Sequence, residues 1–83
     1  MPGTSRADLF HRIAEVDSAE ARRRIAKLGI AEEVEFRNVD FESHRAALAA
    51  RGGEQTPALW DGMQLHVGRE SVLAALERLA RAR

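Results

Sequence analysis

Apolar residues along the chain recur at helical spacing in two segments, and a third segment favours a helix by composition. The first helix is predicted over Ser18–Leu28 and the last over Arg69–Arg83. Between them, Phe41–Arg51 is rich in alanine, and Gly52-Gly53 ends it. The apolar stripes of the first and last helices consist of Ala21, Ile25 and Leu28, and of Val72, Leu73, Leu76, Leu79 and Ala80.

Four shorter segments have the pattern of β-strands. Ala7–Ile13 reads as a strand buried near its centre, and Val34–Val39 alternates as a half-exposed edge strand does. Pro57–Trp60 and Gln64–Val67 surround Asp61-Gly62, which is a strong signal for a β-hairpin.

The predicted order of elements is therefore β-α-β-α-β-β-α. The first βαβ unit should make two parallel strands with a right-handed crossover, and the final hairpin should add antiparallel strands. A four-stranded mixed sheet flanked by three helices uses every element in one core. We expect one α/β domain over residues 1–83, with Met1–Arg6 flexible.

The predicted start of the first helix carries two candidate caps. Asp17 and Glu20 have the spacing of a capping box, and Ser18 is an alternative N-cap. Gly29 follows the last helical residue, where a flexible residue commonly ends a helix.

Charge and composition exclude several classes of function. The 83 residues contain 13 basic and 13 acidic side chains, so no net charge attracts the chain to nucleic acid or to a membrane surface. The longest apolar run, Ala46–Ala50, is far too short to span a bilayer. The start of the chain has no secretory signal pattern, so we expect a cytoplasmic protein. The chain contains no cysteine, which excludes disulfides and thiolate chemistry of its own.

The order of elements and several motifs resemble the glutaredoxin branch of the thioredoxin-like superfamily. Leu9-Phe10-His11-Arg12 and Ala21-Arg22-Arg23 are similar to the first strand and first helix of that family. The stretch from Thr56 to Gly62 looks like its Val-Pro strand and hairpin turn, and Val67–Ser71 like the entrance to its last helix. The N-terminal domains of glutathione transferases share the same features. The resemblance implies a thioredoxin-like fold with a cis-proline at Pro57.

The chain departs from that family at the redox motif. Where a glutaredoxin carries Cys-x-x-Cys or Cys-x-x-Ser, this sequence has Glu15-Val16-Asp17-Ser18. A carboxylate cannot form a mixed disulfide, and a hydroxyl cannot carry the two-electron couple. We therefore expect no intrinsic thiol–disulfide exchange.

The resemblance also implies a ligand site. In relatives that bind glutathione, the tripeptide contacts a basic residue after the first strand, the residue before the cis-proline and the start of the last helix. Arg12, Thr56, Pro57 and Ser71 occupy those positions here. An arginine fork and a helix N-terminus both suit carboxylates, and an exposed strand edge pairs with extended backbone. The alternative without a ligand is that Arg12 is solvated, Ser71 caps a helix and Pro57 only fixes a turn.

Other polar groups favour structural roles. His11, His44 and His66 lie in different elements without metal-ligand spacing, and the run Arg22-Arg23-Arg24 is typical of a solvated helix face. Trp60 is typical of a core residue. No metal or resident cofactor is expected, although glutathione is a possible ligand.

The sequence is compatible with two functions. The first is a redox-inactive, glutaredoxin-like module that binds a peptide, a glutathione-like ligand or a partner protein. The second is an enzyme in the glutathione transferase manner, in which Ser18 polarises the thiol of bound glutathione, or a member of the oxidoreductase family that uses an external thiol. The chain is expected to be a monomer or a homodimer through the edge strand Val34–Val39.

Overall fold

The elements observed in a computed structural model, which describes residues 6–82, follow the predicted order. In chain order they are β1 (Ala7–His11), α1 (Val16–Leu28), a 3-10 turn (Ala31–Glu33), β2 (Val34–Asn38), α2 (Glu42–Ala50), β3 (Ala58–Trp60), β4 (Leu65–Val67) and α3 (Arg69–Arg81). The 3-10 turn was not predicted. The predicted flexibility of residues 1–5 and the predicted helical end at Arg83 lie outside the described residues.

The four strands form one mixed sheet in the order β2-β1-β3-β4. β1 pairs with β2 in parallel, whereas β3 is antiparallel to both β1 and β4. The parallel first pair, the antiparallel hairpin and the edge position of β2 are therefore confirmed. In the hairpin, the N–H of Asp61 donates to the carbonyl of Gln64 over 3.1 Å, so the turn includes Met63.

Alternate residues of β1 point into two separate apolar layers. Leu9 packs with Ile25 of α1 and Leu76 of α3 on one face of the sheet. Phe10 packs with Leu48 of α2 on the other face. The period of two along the strand thus assigns two helices to one side of the sheet and one helix to the other.

Several elements meet at one end of the sheet. Because β1 and β2 are parallel, both finish at this end, where the N–H of Val39 donates to the carbonyl of His11 over 3.0 Å. β3 runs the opposite way, and Phe10 pairs with Ala58, so the Thr56–Pro57 segment enters the sheet beside the end of β1. The loop from β1 to α1 completes the cluster.

The predicted boundaries of α1 need correction at its start. The helix begins at Val16, with Glu15 at the N-cap position, and no side chain caps it. The predicted capping box is wrong, because Glu20 instead binds Arg69 through both carboxylate oxygens, at 2.8 and 2.9 Å. The predicted C-terminal glycine is confirmed: Gly29 has φ of 70° in the left-handed region and donates to Ala26.

Arg6, predicted to lie in a flexible start, is held in place. Its N–H donates to the carbonyl of Glu33 over 2.9 Å, and its guanidinium donates to the carbonyl of Leu79 over 2.8 Å. A salt bridge of 2.8 Å also joins Arg6 to the Glu33 carboxylate. These contacts connect the residue before β1 to the 3-10 turn and to α3.

Candidate functional site

The loop between β1 and α1 is held by an arginine inside α1. Arg22 donates to the carbonyls of Arg12 and Ile13 over 3.1 and 3.2 Å, and its guanidinium lies 3.0 Å from Nδ1 of His11. One side chain therefore binds three successive residues, the last of β1 and the first two of the loop. The loop is thereby fixed against the first turns of the helix.

Ser18 fixes the same loop from the buried side. Its side chain is fully buried, and Oγ accepts a hydrogen bond from the N–H of Arg12 over 3.1 Å. The Ser18 hydroxyl donates in turn to Oε1 of Glu15. The hydroxyl therefore has both an intramolecular donor and an intramolecular acceptor, and its burial leaves no surface for a ligand thiol.

The carboxylate of Glu15 is the centre of the candidate site. Oε1 accepts from Ser18 and also from Oγ1 of Thr56 over 2.8 Å. Glu15 lies at the N-terminus of α1, where partial positive charge favours an anion. Its second oxygen, Oε2, has no hydrogen-bond partner among residues 6–82. The group is thus a fixed hydrogen-bond acceptor with one oxygen available to a ligand.

Thr56 and Pro57 face this carboxylate from the start of β3. The peptide bond between them is cis, and Pro57 is buried with its carbonyl accepting from the N–H of Gly68 over 2.9 Å. The main-chain N–H and C=O of Thr56 have no hydrogen-bond partner within the described part of the chain. A donor and an acceptor of the main chain are therefore available beside Glu15.

Arg12 supplies positive charge on the other side of the loop. Nη1 binds Oδ1 of Asp40 over 3.0 Å, and both side chains are largely exposed, at 40% and 59%. A guanidinium has five N–H donors, so this ion pair leaves donors for an anionic ligand. Arg12 is therefore paired but still accessible.

Exposed apolar side chains occur near these polar groups in the chain. Ile13 and Val16 flank Glu15 in the sequence, and their side chains are 61% and 76% exposed. Phe41, three residues beyond the end of β2 at the same end of the sheet, is 63% exposed. We call these three residues the apolar rim, because exposed apolar residues near polar groups are typical of a protein or peptide contact surface.

The four predicted ligand-binding residues have different surroundings. Arg12, Thr56 and Pro57 lie together, because Ser18 and Glu15 connect the main chain of Arg12 to Thr56. Ser71 is exposed in the first turn of α3, and its side chain makes no hydrogen bond in the described structure. The N-cap of that helix, Gly68, connects it to the carbonyl of Pro57.

The roles of Arg22 and His11 differ from those predicted. The run of three arginines predicts a solvated helix face, but Arg22 binds the loop. It lies one helical turn after Ser18, which binds the same loop, and this i, i+4 spacing is the signal that could have found it. His11 is buried at the end of β1, where its ring packs edge-on against Phe36. Burial and then the neighbouring Arg22 lower the pKa of His11, which favours the neutral ring.

The remaining predicted candidates have local partners. Trp60 is partly exposed and carries Arg51 over its ring at 4.1 Å. His66 binds the Asp61 carboxylate over 2.7 Å within the hairpin. No group of three potential metal ligands occurs among residues 6–82. In the same part of the chain, no helix is long and apolar enough to cross a bilayer.

Comparisons with protein-family models, with curated proteins and with solved structures give no significant match to this chain.

Proposed function

We propose that this chain is a thioredoxin-like, glutaredoxin-related binding module that holds an extended peptide segment of a partner protein and performs no thiol–disulfide exchange. The observation that carries the proposal is the position of the Glu15 carboxylate. It lies at the N-terminus of α1 and accepts a hydrogen bond from Thr56, the residue before the cis-proline. In the glutaredoxins that the sequence resembles, that position belongs to the reactive thiol.

The chemistry of Glu15 supports binding in place of catalysis. A carboxylate at this position does not displace a thiolate from a disulfide and transfers no electrons, since exchange needs an attacking thiolate. Its free oxygen instead suits a hydrogen-bond donor or a cation on a ligand. The ligand we propose therefore presents an N–H donor or a basic side chain to Glu15.

The main chain of Thr56 supports an extended ligand. One N–H and one C=O without intramolecular partners are the two groups that a neighbouring strand engages. A peptide lying antiparallel to this segment gains two main-chain hydrogen bonds, and its side chains can contact the apolar rim of Ile13 and Val16. Arg12, in the loop between β1 and α1, can then bind an acidic group of the ligand.

The transferase alternative has less support. Its activating hydroxyl would be Ser18, which is fully buried and engaged with Arg12 and Glu15. Polarising a glutathione thiol needs a hydroxyl that the sulfur can contact. The carboxylate of Glu15 lies between that hydroxyl and Thr56.

Panning of a random heptapeptide phage library tests the proposal, with the wild-type chain and the Glu15→Gln variant as parallel targets. We expect the wild type to enrich peptides that contain Lys or Arg, and Glu15→Gln to lose that preference because it keeps the shape but removes the charge. An enriched peptide should shift the amide resonances of Arg12 and Thr56. Enrichment that maps to another surface, or none at all, would contradict the proposal.

Reduced glutathione at millimolar concentration is the second arm of the same experiment. Shifts at Arg12, Thr56 and Ser71 without any peptide enrichment would assign the site to a glutathione-like ligand and overturn the peptide proposal. Activity in a glutathione conjugation assay would instead support the transferase alternative.

A further inference from the structure

The outer side of β2 is an unpaired strand edge. β2 pairs only with β1 in the described sheet, so half of its main-chain groups face away from the sheet. Its five residues, Val34–Asn38, contain neither proline nor glycine. Such edges are templates for pairing with another strand.

Two hydrogen bonds establish which residues of β2 face outward. The carbonyl of Glu33 accepts from Arg6, and the N–H of Val39 donates to His11, at 2.9 and 3.0 Å. In a parallel ladder the N–H and C=O of every second residue face the same neighbour. The odd-numbered residues therefore face β1, and the main-chain groups of Phe36 face outward together with those of its even-numbered neighbours.

We propose that β2 pairs with β2 of a second copy of this chain, antiparallel and about a two-fold axis through Phe36. In this register the two Phe36 residues exchange a pair of N–H to C=O hydrogen bonds. The carbonyl of Val34 accepts from the N–H of Asn38 of the second copy, and the symmetry repeats that bond. Four hydrogen bonds then join the two chains.

The outward groups that this register leaves unused already have partners. The N–H of Val34 donates to the carbonyl of Ala31, and the carbonyl of Asn38 accepts from the N–H of Phe41 over 3.1 Å. These two groups would lie opposite each other across the axis. The free groups on the edge are therefore the ones that the register pairs.

The charges on β2 select the same register. With Phe36 on the axis, Glu35 lies opposite Arg37 of the second copy. The Glu35 side chain is exposed and has no hydrogen bond or ion pair in the part of the chain that the structure describes. Arg37 binds Asp8 through Nε over 3.1 Å and reaches His44 through Nη1, which leaves Nη2 for a partner.

Neighbouring registers are unfavourable. Moving the axis by one residue places Glu35 opposite Glu35, or Arg37 opposite Arg37, and like charges directly opposite one another destabilise a strand pair. Each of those registers also directs one free main-chain group of Phe36 toward a group that is already bonded. Phe36, which is 39% exposed, would meet its own counterpart on the axis.

Analytical ultracentrifugation of the wild type, Glu35→Lys and Glu54→Lys tests the charge pairing. Glu54 is exposed in the loop after α2, so Glu54→Lys makes the same charge change away from β2. We expect reversible association of the wild type and Glu54→Lys toward twice the 9.2 kDa monomer mass, and dimerisation about tenfold weaker in Glu35→Lys. A wild type that stays monomeric up to about 1 mM would overturn the proposal, and so would equal association of the two variants.

A single introduced cysteine tests the register, because the chain has none of its own. In the proposed pair the two Phe36 Cα atoms are about 5.5 Å apart, within the range of a disulfide. We expect Phe36→Cys to form a covalent dimer on mild oxidation at least tenfold faster than Glu54→Cys at equal concentration. Equal rates would place any association on another surface and overturn the proposed axis.

Discussion

Arg22 donates a hydrogen bond to Nδ1 of His11 over a distance of 3.0 Å. A guanidinium only donates, so Nδ1 must accept and the ring proton lies on Nε2. The same guanidinium binds the carbonyls of Arg12 and Ile13. This contact therefore couples the protonation of a buried histidine to the loop that carries the candidate site.

We expect the chain to lose stability as the pH falls below about 6.5, the ordinary pKa of histidine. Burial, followed by Arg22 and His44, lowers the pKa of His11, whereas Asp40 acts in the opposite direction. The unfolded chain therefore binds a proton before the folded chain does, and stability is lost between the unfolded and the folded pKa. Urea unfolding at pH 7.5 and pH 5.5 measures the effect.

The His11→Gln variant is the control for this pH effect. It keeps an acceptor for Arg22 but does not titrate, so its change in unfolding free energy between the two pH values should be smaller than that of the wild type. The same pH dependence in both proteins would show that another group is responsible.

Removal of the Arg22 guanidinium should destabilise the chain. Arg22→Gln loses the hydrogen bonds to two loop carbonyls, and we expect a cost of about 1–3 kcal/mol in the free energy of unfolding. Arg23→Gln is the control, because the Arg23 side chain is exposed and makes no hydrogen bond in the described structure, and its cost should be about 0.5 kcal/mol or less. Similar losses for both variants would contradict the role assigned to Arg22.

The buried hydroxyl of Ser18 should contribute to stability as well. Ser18→Ala leaves the N–H of Arg12 without its acceptor and Glu15 without one donor, so we expect a loss of about 1–3 kcal/mol. Ser71→Ala removes a hydroxyl that is exposed and has no intramolecular partner, and should leave the midpoint of urea unfolding unchanged. An unchanged midpoint for Ser18→Ala would mean that water replaces the hydroxyl.

The periodic parts of the fold were accessible from the sequence. Apolar spacing located α1 and α3 because Ile25 and Leu76 must both be buried against one face of the sheet. The parallel pairing of β1 with β2 followed from the crossover through α1, and the antiparallel pairing of β3 with β4 followed from the hairpin signal at Asp61-Gly62. These features depend on local chemistry and burial, which the sequence encodes directly.

The polar contacts of the site were only partly accessible. Glu15 was expected between the first strand and the first helix and lies at the N-cap of α1, but its bond to Thr56 spans 41 residues and depends on the pairing of β3 with β1. Arg22 looked like surface charge because an arginine run gives no indication of which member turns inward. Both contacts arise from tertiary structure, so local patterns could not specify them.

Glu15→Cys should create a reactive thiol. The substitution places sulfur at the N-terminus of α1, next to Ser18 and the cis-proline, where the helix dipole lowers the pKa of a thiol below its ordinary value of about 8.5. We expect Glu15→Cys to react with iodoacetamide at pH 7 about tenfold faster than Glu54→Cys, whose thiol lies in an exposed loop. With glutathione disulfide it should form a mixed disulfide, because the attacking thiolate displaces glutathione thiolate. Equal reactivity of the two cysteines would contradict the placement of residue 15 at an activated thiol position and, with it, the glutaredoxin-like architecture on which the proposed function depends.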